Sequence, residues 1–177
     1  MPSTDMPKDA MKIFGLAGMS AQTSVVIPAL TRRGLRVSTL KHAHHAFDLD
    51  KPGKDSYEHR RAGATEVMVS SANRWALVHE LRGASELTSR ELIERMTPVD
   101  LLLIEGFKRE AHDKLEVHRP SLGKPLLCTE DPHIVALASD APVPGLTVPR
   151  LDLGNTEAIA DFIIAHCGLA DRARGAA

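Results

Sequence analysis

Three stretches of this sequence hold side chains whose types and spacing suit chemistry. The densest is Lys41 to Ser56, which sets His42, His44 and His45 beside Asp48 and Asp50 in one polar segment broken by Pro52-Gly53. Imidazole and carboxylate together are the donors of a transition-metal site. Histidines adjacent in sequence need not converge, however, and no i,i+4 helical pair fixes these. The second is Glu105, at the end of the apolar run Val99-Asp-Leu-Leu-Leu-Ile104 and before Gly106-Phe107-Lys108. A carboxylate delivered by a buried strand occupies a Walker-B-like position, where it holds Mg²⁺ directly or through water. Lys108 nearby offers a charge to an anion. The plainer readings are a turn acid and a surface lysine.

The third stretch runs from Gly15 to Ser24: Gly15-Leu-Ala-Gly18-Met-Ser20-Ala21-Gln22-Thr23-Ser24. An apolar strand feeding a glycine-punctuated turn and then a helix aims backbone N–H groups and a helix dipole at a phosphate. The Walker A pattern needs Gly, four residues, then Gly-Lys-Ser/Thr. Here neither Gly15 nor Gly18 gives that count to Ala21, and Gln22 stands where the lysine belongs. A phosphate held here relies on backbone amides, on the hydroxyls of Ser20, Thr23 and Ser24, and on a metal. Taken alone, the turn reads as an ordinary strand-to-helix connection.

These residues need a sheet to position them. The 177 residues suit one domain, and 22 basic against 23 acidic side chains leave a net charge of −1, which offers no general attraction to nucleic acid or membrane. Cys128 and Cys167 are far apart and fit neither a disulfide scaffold nor a zinc ribbon, as in a reducing compartment. Residues 1–10 read as a flexible leader, 11–168 as one domain and 169–177 as a flexible tail. No apolar run approaches membrane length, so a cytoplasmic protein is expected.

Strand, helix and strand are expected from Lys12 to Leu40, with the helix short because of Pro28 and ending at Gly34. A helix capped by Asp55 or Ser56, a hairpin of Glu66–Ser70 and Arg74–His79, a helix over Ser89–Met96 and a central strand ending at Ile104 follow. Lys114–His118, Pro125–Cys128 and Ile134–Ala138 read as further strands, and Asn155 or Thr156 caps a last helix. The pattern predicts an α/β fold: a doubly wound, mostly parallel sheet flanked by helices, P-loop NTPase-like, with an antiparallel hairpin edge.

Four pieces resemble the molybdopterin-guanine dinucleotide biosynthesis protein B (MobB) family. They are Gly15-Leu-Ala-Gly18; Leu40 to Ser56 with Arg60 and Ala62-Gly-Ala64; Asp100 to Lys108; and Lys114-Leu-Glu-Val-His-Arg119. The resemblance implies a doubly wound fold, a homodimer, GTP and Mg²⁺ binding, weak GTPase activity, and partnership with a MobA-like guanylyltransferase that attaches GMP to molybdopterin. It implies nucleotide contacts from Gly15, Gly18, Ser20, Ala21, Gln22, Thr23, Ser24 and Lys108, and Mg²⁺ contacts from Thr23, Asp48, Asp50 and Glu105. In that setting the histidine segment makes polar contacts to nucleotide or pterin. A carboxylate accepting from the guanine N1–H and 2-amino group would reject adenine, a role open to Thr129-Glu-Asp131 and Ser139-Asp140. The departure is at the phosphate loop, where the lysine is missing and the stretch from Gly18 to Ile27 is short, so impaired GTP turnover is expected. Two other functions remain open: a non-catalytic adapter binding MobA or molybdopterin on a nucleotide-fold scaffold, and a metal carrier built on the histidine loop.

Overall fold

A computed structural model describes residues 6–18, 23–43, 47–107 and 110–173. The chain divides into two compact units, one built from residues up to His42 and from Ile93 onward, the other from Ala43 to Leu92.

The larger unit is a six-stranded parallel sheet in the order β2-β5-β1-β6-β7-β8. The strands are β1 (Lys12–Gly18), β2 (Val37–Lys41), β5 (Leu101–Glu105), β6 (Lys114–His118), β7 (Ile134–Ser139) and β8 (Arg150–Asp152). All pairings are parallel, so every strand ends at the same edge. On one face, Phe14, Leu16, Leu103, Leu115, Val117, Ala136 and Ala138 pack beneath two helices, α1 (Thr23–Arg32) and α4 (Thr156–His166), which contribute Val26, Leu30, Ile159 and Ile163. The guanidinium of Arg33 ties those helices together, reaching Glu157 at 2.6 Å and Asp161 at 2.7 Å. On the other face Met11, Leu102 and Ile104 gather Leu40, Ile93, Met96 and Phe107.

α1 begins at Thr23 and carries Pro28 inside it rather than in its first turn. α4 starts as predicted, with the Asn155 side chain accepting the Ala158 N–H at 3.0 Å. Where a loose tail is expected, Leu169 is fully buried and a short helix α5 (Ala170–Ala173) follows. β8 has too little apolar character to stand out in the sequence, and β7 pairs with it.

Two further differences bear on the site. Pro125–Cys128 is not a strand. It is a turn-rich segment held by the carboxylate of Glu116, which accepts the Leu127 and Cys128 N–H groups at 2.9 Å each. The alternation of Lys114-Leu-Glu-Val-His118 does not mark a water-facing side either, because all five residues are buried. Its polar members turn inward and require partners there.

The smaller unit holds α2 (Asp55–Arg61), a two-stranded antiparallel sheet of β3 (Glu66–Ser70) and β4 (Trp75–His79), and the start of α3 (Ser89–Glu94). The predicted hairpin therefore forms, as a sheet of its own. Thr88 and Glu91 cap α3 reciprocally, the Thr88 hydroxyl donating to the Glu91 carboxylate at 2.8 Å and accepting the Glu91 N–H at 3.3 Å.

Candidate functional site

Glu105 closes β5 at the carboxyl edge of the sheet, beside Lys41, its register partner on β2. Along a strand, successive side chains alternate faces, so Glu105 shares the α1 side with Leu101 and Leu103. There the Thr23 hydroxyl, in the first turn of α1, donates to Glu105 Oε2 at 3.0 Å. The Lys41 ammonium lies 3.0 Å from the other oxygen, Oε1. Thr23 is buried and the Glu105 side chain 19% exposed, while Lys41 reaches out to solvent. A hydroxyl and a carboxylate are the hard oxygen donors that suit Mg²⁺, which takes one or two protein oxygens and completes its shell with phosphate and water. The pair fits that ion, and the lysine supplies a fixed positive charge beside it.

The backbone after Glu105 turns sharply. Gly106 has φ 93° and Phe107 φ 45°, two left-handed residues in succession. A β-carbon on Gly106 would lie 2.7 Å from that of His42, so glycine is required here, and the Phe107 ring sits 4.7 Å from the His42 ring. Gly18 is the second constrained glycine: φ is 89°, and a β-carbon would collide with the Val117 carbonyl oxygen. Gly15 lies in the middle of β1, where its missing side chain makes room for His112 and Lys114, so it packs the sheet and does not reach the edge where phosphate would bind.

Ser20, Ala21, Gln22, Lys108, His44 and His45 lie outside the described residues. Ser24, next to buried Thr23 in the first turn of α1, is exposed. Asp48 and Asp50 belong to the smaller unit, where both accept from one guanidinium: Arg60 reaches Asp48 and Asp50 at 2.9 Å each and Glu80 at 2.7 Å. The Ser56 hydroxyl adds a bond to Asp50 at 3.2 Å. Glu80, then Asp48 and Asp50, raise the Arg60 pKa further above its ordinary value, so the three acids act as its counter-ions. Arg60 is the residue that reading for metal ligands passes over. Nothing in the spacing of Asp48 and Asp50 points to it; its one mark in the sequence is its place in the second resembling piece. Among the described residues no group of three or more His, Cys, Asp or Glu could hold a metal ion.

The two guanine candidates separate. Ser139 and Asp140 end β7 at the same edge as Glu105; the Ser139 hydroxyl donates to the Ala141 carbonyl at 2.9 Å, and Asp140 lies 3.6 Å from Arg119. Thr129 and Asp131 do not follow a strand. They precede β7 and sit at the opposite, amino-terminal edge, because Pro125–Cys128 runs back across the sheet instead of forming a strand. Thr129 closes a local turn onto the Leu126 carbonyl. Asp131 pairs at 3.0 Å with Lys114, which is 1% exposed. Burial acts to raise the Asp131 pKa, and the His133 N–H and the Lys114 ammonium overcome it, holding the carboxyl below its ordinary value.

Residues 14–140 match the family model described as Molybdopterin guanine dinucleotide synthesis protein B. The chain belongs to the MobB family. It is 42% identical over 164 residues to a "Molybdopterin-guanine dinucleotide biosynthesis adapter protein" of Escherichia coli K12, covering 91% of this chain and 93% of that one. A protein of the same description from Haemophilus influenzae is 37% identical over 155 residues, or 85% of each chain. Among solved structures, a crystal structure of molybdopterin-guanine biosynthesis protein B superposes with a TM-score of 0.63 at 24% identity, covering 87% of this chain and 99% of that one. Bacillus subtilis MobB does so at 0.61 and 21%, covering 88% and 98%. At those identities the structures speak for the fold, and the MobB fold they share is the parallel sheet described above.

Proposed function

We infer that this chain is a GTP-binding accessory protein in molybdenum cofactor biosynthesis, acting in the cytoplasm beside a MobA-like guanylyltransferase that forms molybdopterin guanine dinucleotide. The contact between the Thr23 hydroxyl and Glu105 carries the reading. It brings a helix-start hydroxyl and a strand-end acid together at the carboxyl edge, beside the loop that leaves Gly18. Thr23 and Glu105 are the residues that would hold Mg²⁺, which neutralises phosphate charge when bound. Lys41 pairs with Glu105 at 3.0 Å and adds a positive charge that the loop itself lacks. Without a loop lysine, GTP turnover is weak or lost, and the chain works by binding and presenting the nucleotide.

Equilibrium binding of Mg²⁺-GTP and Mg²⁺-GDP, with turnover compared between the native chain and Gln22→Lys, tests this. Saturable GTP binding with turnover that rises on substitution supports it. Native turnover equal to that of a relative with an intact Walker A loop refutes the impairment.

The chain also acts as a homodimer in this reading. Met68, Trp75 and Leu77 expose 63%, 67% and 43% of their surface on a sheet of only two strands, an arrangement of marginal stability in water unless something covers it. Sedimentation of Trp75→Glu against the native chain reads this directly: a dimer that becomes a monomer supports it, and a native monomer at micromolar concentration overturns it.

A further inference from the structure

The chain enters β6 through residues 110–113, which lie on the sheet face away from α1. Phe14 and Leu16 pack on the α1 side, so Gly15 between them turns its α-carbon to the other face. A β-carbon there would meet His112 Nε2 and Lys114 Cγ at 2.6 Å each, so the His112 ring fills the place that Gly15 leaves empty. Two backbone bonds hold the chain down beside it. The Gly15 N–H donates to the Asp113 carbonyl at 2.8 Å, and the Lys114 N–H to the His133 carbonyl at 2.8 Å. Upstream, the Glu110 N–H donates at 3.0 Å to the carbonyl of Phe107, in the turn that follows Glu105.

In this seat His112 Nε2 is fully buried and has no hydrogen-bond partner among the described residues. A neutral imidazole tolerates that, because its single N–H can sit on Nδ1 while Nε2 keeps only a lone pair. An imidazolium does not. Both of its nitrogens donate, so the second proton would be a charged N–H pressed against β1 with no acceptor. The charges around the ring do not offset this. Lys114, itself 1% exposed, and His133 repel a proton there, while Glu110 and Asp131 attract one. Asp131 is already committed to Lys114 at 3.0 Å. Asp113, the next residue, is engaged by the His166 ring at 2.8 Å and lies 3.8 Å from that of His133. Burial, and after it Lys114, therefore hold the His112 pKa below its ordinary value.

We propose that His112 is a proton-operated clasp on the sheet: neutral, it seats residues 110–113 over Gly15, and on protonation the ring leaves that seat and the bonds from the Gly15 and Lys114 amides loosen. The sign follows from the lowered folded-state value. The clasp stabilises fully above the ordinary histidine pKa of about 6.5, and its contribution is lost as pH falls from there through the folded value. It operates whether or not a nucleotide binds at Thr23 and Glu105.

NMR of the full chain with labelled histidine rings, from about pH 7.5 to about pH 5, together with hydrogen exchange of the Gly15 and Lys114 amides, tests it. The His112 ring is expected to titrate below the ordinary histidine value. Protection of the two amides, corrected for the intrinsic exchange rate at each pH, is expected to fall severalfold over the same range. In His112→Phe, which fills the seat without titrating, their protection should stay level. Gly15→Ala puts a methyl where the ring sits and should loosen both amides already at neutral pH, with little further change in acid. A His112 ring that titrates at or above the ordinary value overturns the proposal, and this is read on the native chain even if neither variant folds. So does native protection that changes by less than about twofold, or that falls equally in native and His112→Phe chains.

Discussion

Replacing Asp131 by Asn separates two roles that the sequence leaves open for this carboxylate. If Asp131 reads a guanine base, Asp131→Asn weakens GTP binding and leaves the fold alone. The structure assigns the opposite outcome. Lys114 is 1% exposed at the amino-terminal end of β6, and Asp131 at 3.0 Å is its counter-ion. Removing one partner of a buried pair leaves an uncompensated charge and costs about 3–5 kcal/mol. Asp131 is 24% exposed, so water relieves part of that cost, and the lower figure of about 3 kcal/mol applies. For a chain of this length it corresponds to a fall in Tm of roughly 6–12 °C. Asparagine keeps an oxygen for the His133 N–H, bonded at 2.9 Å in the native chain, so the loss isolates the ion pair.

The pH dependence has a definite sign. The folded-state pKa of Asp131 lies below its unfolded value, so the stabilisation is complete above the ordinary aspartate pKa of about 4 and disappears as pH falls through the lower folded value. Calorimetry of the native and Asp131→Asn chains from neutral pH to pH 3 should show their Tm values converging in acid. Adding Lys114→Met should restore stability at neutral pH, because the buried charge goes with its partner. A Tm within about 2 °C of native, together with a GTP affinity lowered tenfold or more, would refute the assignment and return Asp131 to the nucleotide.

Three other outcomes follow from the same coordinates. Gly18→Ala should cost about 2 kcal/mol or more by chemical denaturation, since the new methyl collides with the Val117 carbonyl oxygen at a left-handed φ; a loss below about 0.5 kcal/mol would mean that the end of β1 relaxes freely. Arg33→Ala removes a half-exposed bridge between α1 and α4 and should cost about 1 kcal/mol at low salt and less in high salt, read from urea midpoints. Burial pushes the Cys167 thiol up to about 11, so at pH 8 its thiolate is near one part in a thousand, and native-state alkylation should run roughly a hundredfold slower than for an exposed cysteine, by mass spectrometry.

The parallel core was legible because its strands are continuous apolar runs that only a sheet covered on both faces can bury, as Leu101–Ile104 shows. The placement of Glu105 followed from that run, since a buried strand delivers the next residue to the carboxyl edge. The carboxylates of Asp48 and Asp50 were legible as functional types but not as partners, because nothing in their spacing announces that Arg60 will take both. β8 was missed for the opposite reason. Three residues, of which only Leu151 is apolar, fall below what a hydrophobic pattern can register, and the strand exists because β7 offers it an edge.

The misplacement of Thr129 and Asp131 has a single physical origin. Pro125-Leu-Leu-Cys128 is apolar and short, which is how a buried strand reads, yet Pro125 is exposed, Leu126 to Cys128 are only partly buried, and the Leu127 and Cys128 N–H groups go to one carboxylate, Glu116. A residue that follows a parallel strand lies at the carboxyl edge, and one that precedes the next strand lies at the amino edge, so a single false strand moves its neighbours the length of the sheet. The same inversion explains why Lys114, Glu116 and His118 escape pattern reading. Alternating polar residues normally mark the wet side of a strand, and here the covering segment makes that side an interior. Two of the three find partners in it, Lys114 in Asp131 and Glu116 in two backbone amides. Among the described residues His118 has none, because it ends the strand, where the cover thins and the ring keeps some access to water.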